Sequence, residues 1–151
     1  MSDTSLAVAR KERAGDVVKL PLASTAATYK KGHLIEVNSG GYGAMGGDDA
    51  SVLFGGIANQ EVEVVTGGSN GDETIEVAQK GLHLMTFTST LTQADVLKAA
   101  YAVDNYRAAR YAGVSNYLFI GVIKEIVSAS QAWVDIEPAI PQKATLANAV
   151  S

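Results

Sequence analysis

His33 and His83 are the only histidines in the sequence, and there is no cysteine. Imidazoles are the side chains best suited to shuttle protons near neutral pH, so these two positions come first in any search for catalysis. Neither lies in an H-E-x-x-H arrangement, and no G-x-S-x-G elbow accompanies them. Each instead closely follows a glycine and precedes apolar residues, which places both at strand starts. A triad assembled from distant residues is a matter of geometry and cannot be read from spacing. The absence of cysteine removes disulfides, thiol nucleophiles and sulfur-based metal sites together, and leaves the redox compartment undetermined.

Two glycine-rich stretches invite a ligand. Gly41-Tyr42-Gly43-Ala44-Met45-Gly46 satisfies G-x-G-x-x-G. Dinucleotide binding also requires a helix to begin there, because its N-terminal amides hold the pyrophosphate. The chain instead continues with Gly47-Asp48-Asp49 and a strand-like run ending at Gly55-Gly56, with acids where phosphate would sit, so a loop is expected. Gly67-Gly68-Ser69-Asn70-Gly71-Asp72 approaches a calcium-binding repeat, but only one copy is present and such sites form between stacked copies. Asp48-Asp49 and Asp72-Glu73 offer oxygen ligands for weak divalent capture. Solvated turn acids are the simpler reading, and no cofactor or metal is expected.

The aromatic residues Tyr29, Tyr42, Tyr101, Tyr106, Tyr111, Tyr117, Phe119 and Trp133 could form a stacking platform for single-stranded nucleic acid. That role needs interleaved cations, and only the span from Tyr101 to Tyr111, with Arg107 and Arg110, supplies them. Core and rim packing is the expected use. The net charge of −4 also argues against a dedicated nucleic-acid binder. From His33 to Gln79 there is no Lys or Arg, while Glu36, Asp48, Asp49, Glu61, Glu63, Asp72, Glu73 and Glu76 all fall there. This reads as a solvated acidic face, or as the outward side of a particle whose basic side meets a partner.

The elements that must position these residues are strands. Period-2 alternation covers residues 16–20, 33–37, 52–58, 61–65, 74–79, 82–88, 117–127 and 132–137. Ten of the fifteen glycines lie between Gly40 and Gly71, which makes that region turns between short strands. The fold class is therefore all-β: a small β-barrel or β-sandwich of short strands. One short helical segment is expected at Thr92-Gln93-Ala94-Asp95, where the spacing resembles a capping box, with a return to strand near Tyr101. Leu34, Val52, Ile57, Leu84, Phe119 and Ile123 are the expected core. In the last strand Ala132, Val134 and Ile136 point one way, leaving Trp133 on the outer face or the rim. Lys31-Gly32-His33-Leu34 is faintly echoed by Lys80-Gly81-Leu82-His83-Leu84.

Hydrophobic residues make up 47% and charged residues 19%, so one packed domain is expected at residues 15–137. Residues 1–14 read as an N-terminal arm and residues 138–151, with Pro138 and Pro141, as a C-terminal tail. The first residues lack a signal-peptide core and no run of about 18 apolar residues occurs, so no membrane association and synthesis in a cytoplasm are expected. Leu6, Val8, Arg10, Lys11 and Arg13 combine contact area with charge, the chemistry of a docking arm.

The order of segments resembles that of head decoration (capsid cement) proteins of tailed bacteriophages. The resemblance rests on Asp16-Val17-Val18-Lys19-Leu20, Tyr29-Lys30-Lys31-Gly32-His33-Leu34, Gly55-Gly56-Ile57-Ala58, Lys80-Gly81-Leu82-His83-Leu84 and Ala94-Asp95. It continues through Ala100-Tyr101-Ala102, Asn116-Tyr117-Leu118-Phe119-Ile120-Gly121-Val122-Ile123 and Trp133-Val134-Asp135-Ile136-Glu137. The chain departs from the family at Ala94-Asp95, where Gly-Asp is frequent, and in its Gly40–Gly47 insertion. The resemblance implies a non-enzymatic β-barrel in the virion, bound to the outer capsid surface and stabilising the lattice of the major capsid protein. It further implies a homo-oligomer, with a trimer expected and a dimer left open. Two other classes stand beside it: a small-barrel nucleic-acid-binding module, and a hydrolase with an unrecognised site.

Overall fold

The computed structural model describes residues 17–140. Its strands are β1 (Val17–Pro21), β2 (Ala27–Tyr29), β3 (Leu34–Val37), β4 (Gly43–Met45), β5 (Leu53–Ala58) and β6 (Val62–Val64), then β7 (Thr74–Ala78), β8 (Leu82–Phe87), β9 (Ala99–Ala102), β10 (Arg107–Ala109), β11 (Phe119–Ser128) and β12 (Gln131–Asp135). The longest helical pieces among the described residues are single 3-10 turns, at Gln93–Asp95, Tyr111–Gly113 and Glu137–Ala139. The fold is all-β, as the alternation requires.

One sheet runs in the order β1-β7-β5-β3-β4, with β2 and β6 forming a separate two-stranded ribbon. A second set closes on itself as a five-stranded barrel, β10-β8-β12-β11-β9. Within it β10 and β8 are parallel and every other pairing is antiparallel. Closure leaves the barrel strands no exposed edge on which another strand could pair.

Each unit has its own core. Ile120, Ile123, Ala132, Val134 and Ile136 are completely buried inside the barrel, whereas Leu22, Tyr29, Ile35, Ile75 and Val77 fill the first sheet. β3 and β5 form the wall between the two. Leu34, Phe54 and Ile57 belong to the barrel core, and Ile35 and Ala58 to the other. A strand covered on both faces reads as a nearly unbroken apolar run, which is how Leu53–Ala58 reads.

Four expectations are corrected. Leu84 is not a core residue but 45% exposed. Residues directly opposite in an antiparallel pair share a face, and Leu84 stands opposite Trp133 while Met85 stands opposite the buried Ala132. Met85 and Phe87 therefore point inward, and Leu82 and Leu84 join the half-buried Trp133 outside. Val52 and Phe119 are half-buried against the core, while Leu34, Ile57 and Ile123 lie inside it. Glu36, placed by its sequence neighbours on a solvated acidic face, is only 6% exposed. The Gly40–Gly47 region is not wholly loop, because Gly43–Met45 pairs with β3 as a hairpin. The capping-box segment makes one turn, in which the Thr92 amide donates to the Asp95 carboxylate at 2.8 Å.

These burial differences set a graded expectation. Ile123→Ala should cost about 2–5 kcal/mol, and Phe119→Ala, at the half-buried outer face, about 1–2 kcal/mol. Urea titration of both variants checks the order; a larger loss for Phe119→Ala would place its ring inside.

Candidate binding surface

The outer face of the barrel at β9 and β11 carries a cluster of four aromatic rings. Tyr101 projects from β9, between the buried Ala100 and Ala102, and Phe119 begins β11 directly opposite it. Their ring centroids are 6.2 Å apart. Tyr111, from the Tyr111–Gly113 turn, and Tyr117 stack face to face at 4.5 Å with 14° between planes. Tyr101 meets both edge-on, at 6.1 Å and 5.8 Å. Tyr111 is 64% exposed and Tyr117 42%, so the stack forms a ridge rather than a core. The Tyr117 hydroxyl is held above the ordinary phenol range, first by its hydrogen bond with Tyr111, so it stays neutral at physiological pH.

A distant acid holds this ridge in place. The Asp48 carboxylate accepts from the Ser115 and Asn116 amides at 2.9 and 2.8 Å, and the Asn116 side-chain amide donates to the Asp48 carbonyl at 2.6 Å. The next residue, Tyr117, is thereby fixed at φ 55, in the left-handed region that bulky residues avoid. Leu97 shows the same strain at φ 70 and is 65% exposed. Conformations of this kind persist where the surroundings over-determine them, and they concentrate at functional surfaces.

Beside the ridge lies a cleft of about 340 Å³ with Ala99 and Ala112 in its lining, Tyr101 and Tyr111 as aromatic walls, and Lys98 and Arg110 as cations. Asp95, 2% exposed, closes it from behind and pairs with Arg110 at 3.5 Å. Its carboxyl is held below the usual range, chiefly by the Thr92 amide and then, against the opposing effect of burial, by Arg110 and Lys98. Across the ridge a second depression of about 300 Å³ is lined by Asp49, Ser51, Tyr117, Phe119, Pro138 and other residues.

The remaining chemistry-bearing residues have local duties. The His33 ring accepts from the Lys30 amide through Nδ1 at 3.1 Å, and the His83 Nε2 lies 3.0 Å from the Lys80 carbonyl. Each histidine stands shortly after a glycine of positive φ, Gly32 at 95° and Gly81 at 98°. The contacts differ: His33 directly follows its glycine and meets an amide, whereas His83 lies two residues on and meets a carbonyl. Asp72 accepts from the Ser69 amide within its own loop. Among the described residues no three His, Cys, Asp or Glu side chains gather as a metal site would require. Arg107 is committed to Asp104, at 2.6–2.7 Å, and stacks on Tyr106. Among the described residues, Lys98 and Arg110 are the cations lining the cleft beside the rings.

Leu6, Val8, Arg10, Lys11 and Arg13 lie outside the described residues. Spacing pointed to the aromatic-rich span from Tyr101 to Tyr111, but not to Tyr117 as its stacking partner or to Asp48 as its clamp. No helix among the described residues is long and apolar enough to cross a membrane. The chain matches no protein-family model, no curated protein and no solved structure.

Proposed function

We propose that the chain is a capsid decoration protein that docks on the outer surface of a bacteriophage head and stabilises the lattice of the major capsid protein. The observation that carries this reading is the exposed, rigidly held tyrosine ridge on a closed barrel. Such a surface supplies large aromatic contact area at low entropic cost, which is the composition favoured at protein interfaces. The segments that carry the resemblance also occupy structural nodes: Tyr29 through Leu34 span the β2–β3 turn, and Gly55 through Ala58 lie in the wall shared by the two cores. Contacts of modest strength repeated around a symmetric shell add by multivalency, so a deep pocket is unnecessary. A homotrimer near three-fold positions suits this arrangement, because matching symmetry lets every copy engage. The arm at residues 1–14 would add contacts to the same shell.

Purified protein mixed with undecorated heads is expected to bind to saturation in a sedimentation assay. The Tyr111→Ala/Tyr117→Ala variant should keep its circular dichroism spectrum and lose at least about tenfold in apparent affinity, since hot-spot aromatics each contribute roughly 2 kcal/mol or more. Lack of saturable binding by the wild-type protein would sink the reading.

A further inference from the structure

We propose that the cleft between Lys98 and Arg110 binds a carboxylate, presented by an acidic side chain of a protein partner whose neighbouring apolar residue packs on the Tyr111 ring. The partner's identity as capsid protein rests on the function proposed above; the carboxylate specificity rests on the cleft itself.

Arg110 is oriented from behind. Asp95, almost wholly buried, receives one guanidinium nitrogen at 3.5 Å and has its other oxygen occupied by the Thr92 amide. A guanidinium carries five N–H donors, so a single long contact leaves most of them for the cleft. Lys98 lines the same space and, like Arg110, acts electrostatically on Asp95. Two cations facing one buried carboxylate leave a surplus charge of one. A carboxylate neutralises that surplus, whereas a dianionic phosphate would overshoot it. Ala99 and Ala112 leave room for the group, and the Tyr101 and Tyr111 rings favour an apolar stem beside it. An Arg positioned by a buried acid and flanked by aromatic rings is the arrangement that recognises carboxylates with geometric selectivity.

The test is an amide NMR titration of the full-length protein with the blocked tripeptide Ac-Phe-Glu-Phe-NH2, its Gln counterpart, and inorganic phosphate. The Glu peptide is expected to shift the amides of Lys98, Ala99, Tyr111 and Ala112 and to bind at least about tenfold more tightly than the Gln peptide, as fits the loss of one charge-assisted hydrogen bond. Arg110→Met should abolish the preference. Because that change also unpairs Asp95 and could unfold the turn, Lys98→Met, which leaves Asp95 its Thr92 and Arg110 contacts, should lower it independently. Equal binding of the Glu and Gln peptides, shifts centred elsewhere, or stronger binding of phosphate at the cleft would overturn the proposal. Parallel sedimentation with undecorated heads separates the two readings. Peptide binding without head binding removes the capsid role and keeps the cleft. Head binding that Lys98→Met leaves unchanged, with no peptide shifts, removes the cleft and keeps the capsid role.

Discussion

Glu36→Gln is expected to stabilise the protein by about 3–5 kcal/mol at about pH 9 and to flatten most of the wild-type fall in stability between about pH 5 and pH 8. Glu36 lies in β3, 6% exposed, with Oε1 buried and lacking a hydrogen-bond partner. Its carboxyl is pushed from 4.5 to about 8, first by burial and then by the adjoining Asp49 carboxylate, while the Gly47 backbone opposes the rise. Two ionised carboxylates are both acceptors and have no proton to share between them. A proton on Glu36 turns one of them into a donor, and the pair then holds together. In the unfolded chain Glu36 ionises near 4.5, so below that pH both states are protonated and the native contact contributes fully. As pH rises towards 8 the unfolded state gains a charge that the folded state resists, and stability is lost; above about 8 the loss is complete. A displacement from 4.5 to about 8 corresponds to about 5 kcal/mol at most. The Gln amide keeps a donor for Asp49 and has no ionisation to suppress. Urea unfolding of both proteins across this range is the measurement, and parallel curves would mean that Glu36 is not buried as described.

Glu36 also marks where sequence reasoning stops. Alternation identified the long strands, because period-2 burial is imposed by the pleat itself. It could not decide which face of Leu82–Phe87 turns inward, since that choice is made by pairing with β12, far along the chain. β2, β4 and β10 have three residues each, too short to display a period. Glu36 lies elsewhere than its acidic neighbours suggest for a related reason: β3 has a core on each side, but with only four residues and an acid among them it does not read as the apolar run that marks β5. At the candidate binding surface, the density of tyrosines near Arg107 and Arg110 was legible. The clamp was not, because Asp48 and Asn116 are joined only by folding, 68 residues apart. The strain at Leu97 and Tyr117 leaves no trace in residue type. Glycine would be the favoured residue at those angles, and neither position has it.

Where glycine does stand at such an angle, its replacement tests the architecture most severely. Gly121→Ala and Gly56→Ala are each expected to cost at least about 3 kcal/mol or to prevent folding at physiological temperature. The two positions correspond across the two units. Gly56, at φ 127, lies in the wall strand β5, beside an irregularity in its register with β3. Gly121, at φ 155, lies in β11, beside an irregularity in its register with β9. A methyl on Gly56 would stand 2.5 Å from the Ala78 carbonyl oxygen; one on Gly121 would stand 2.5 Å from the Asp135 carbonyl oxygen and equally close to a Val134 methyl. Carbonyl oxygens of neighbouring strands cannot rotate away as a side chain can, so each substitution must force two strands apart in a core packed to crystal-like density. Gly32→Ala provides the control. Gly32 has φ 95 but nothing within 4 Å of an added methyl, so the change carries only backbone strain, about 1–2 kcal/mol. Denaturant midpoints for the three variants should therefore fall in two groups. If Gly121→Ala unfolded no earlier than Gly32→Ala, β11 and β12 could not approach as closely as the closed barrel requires.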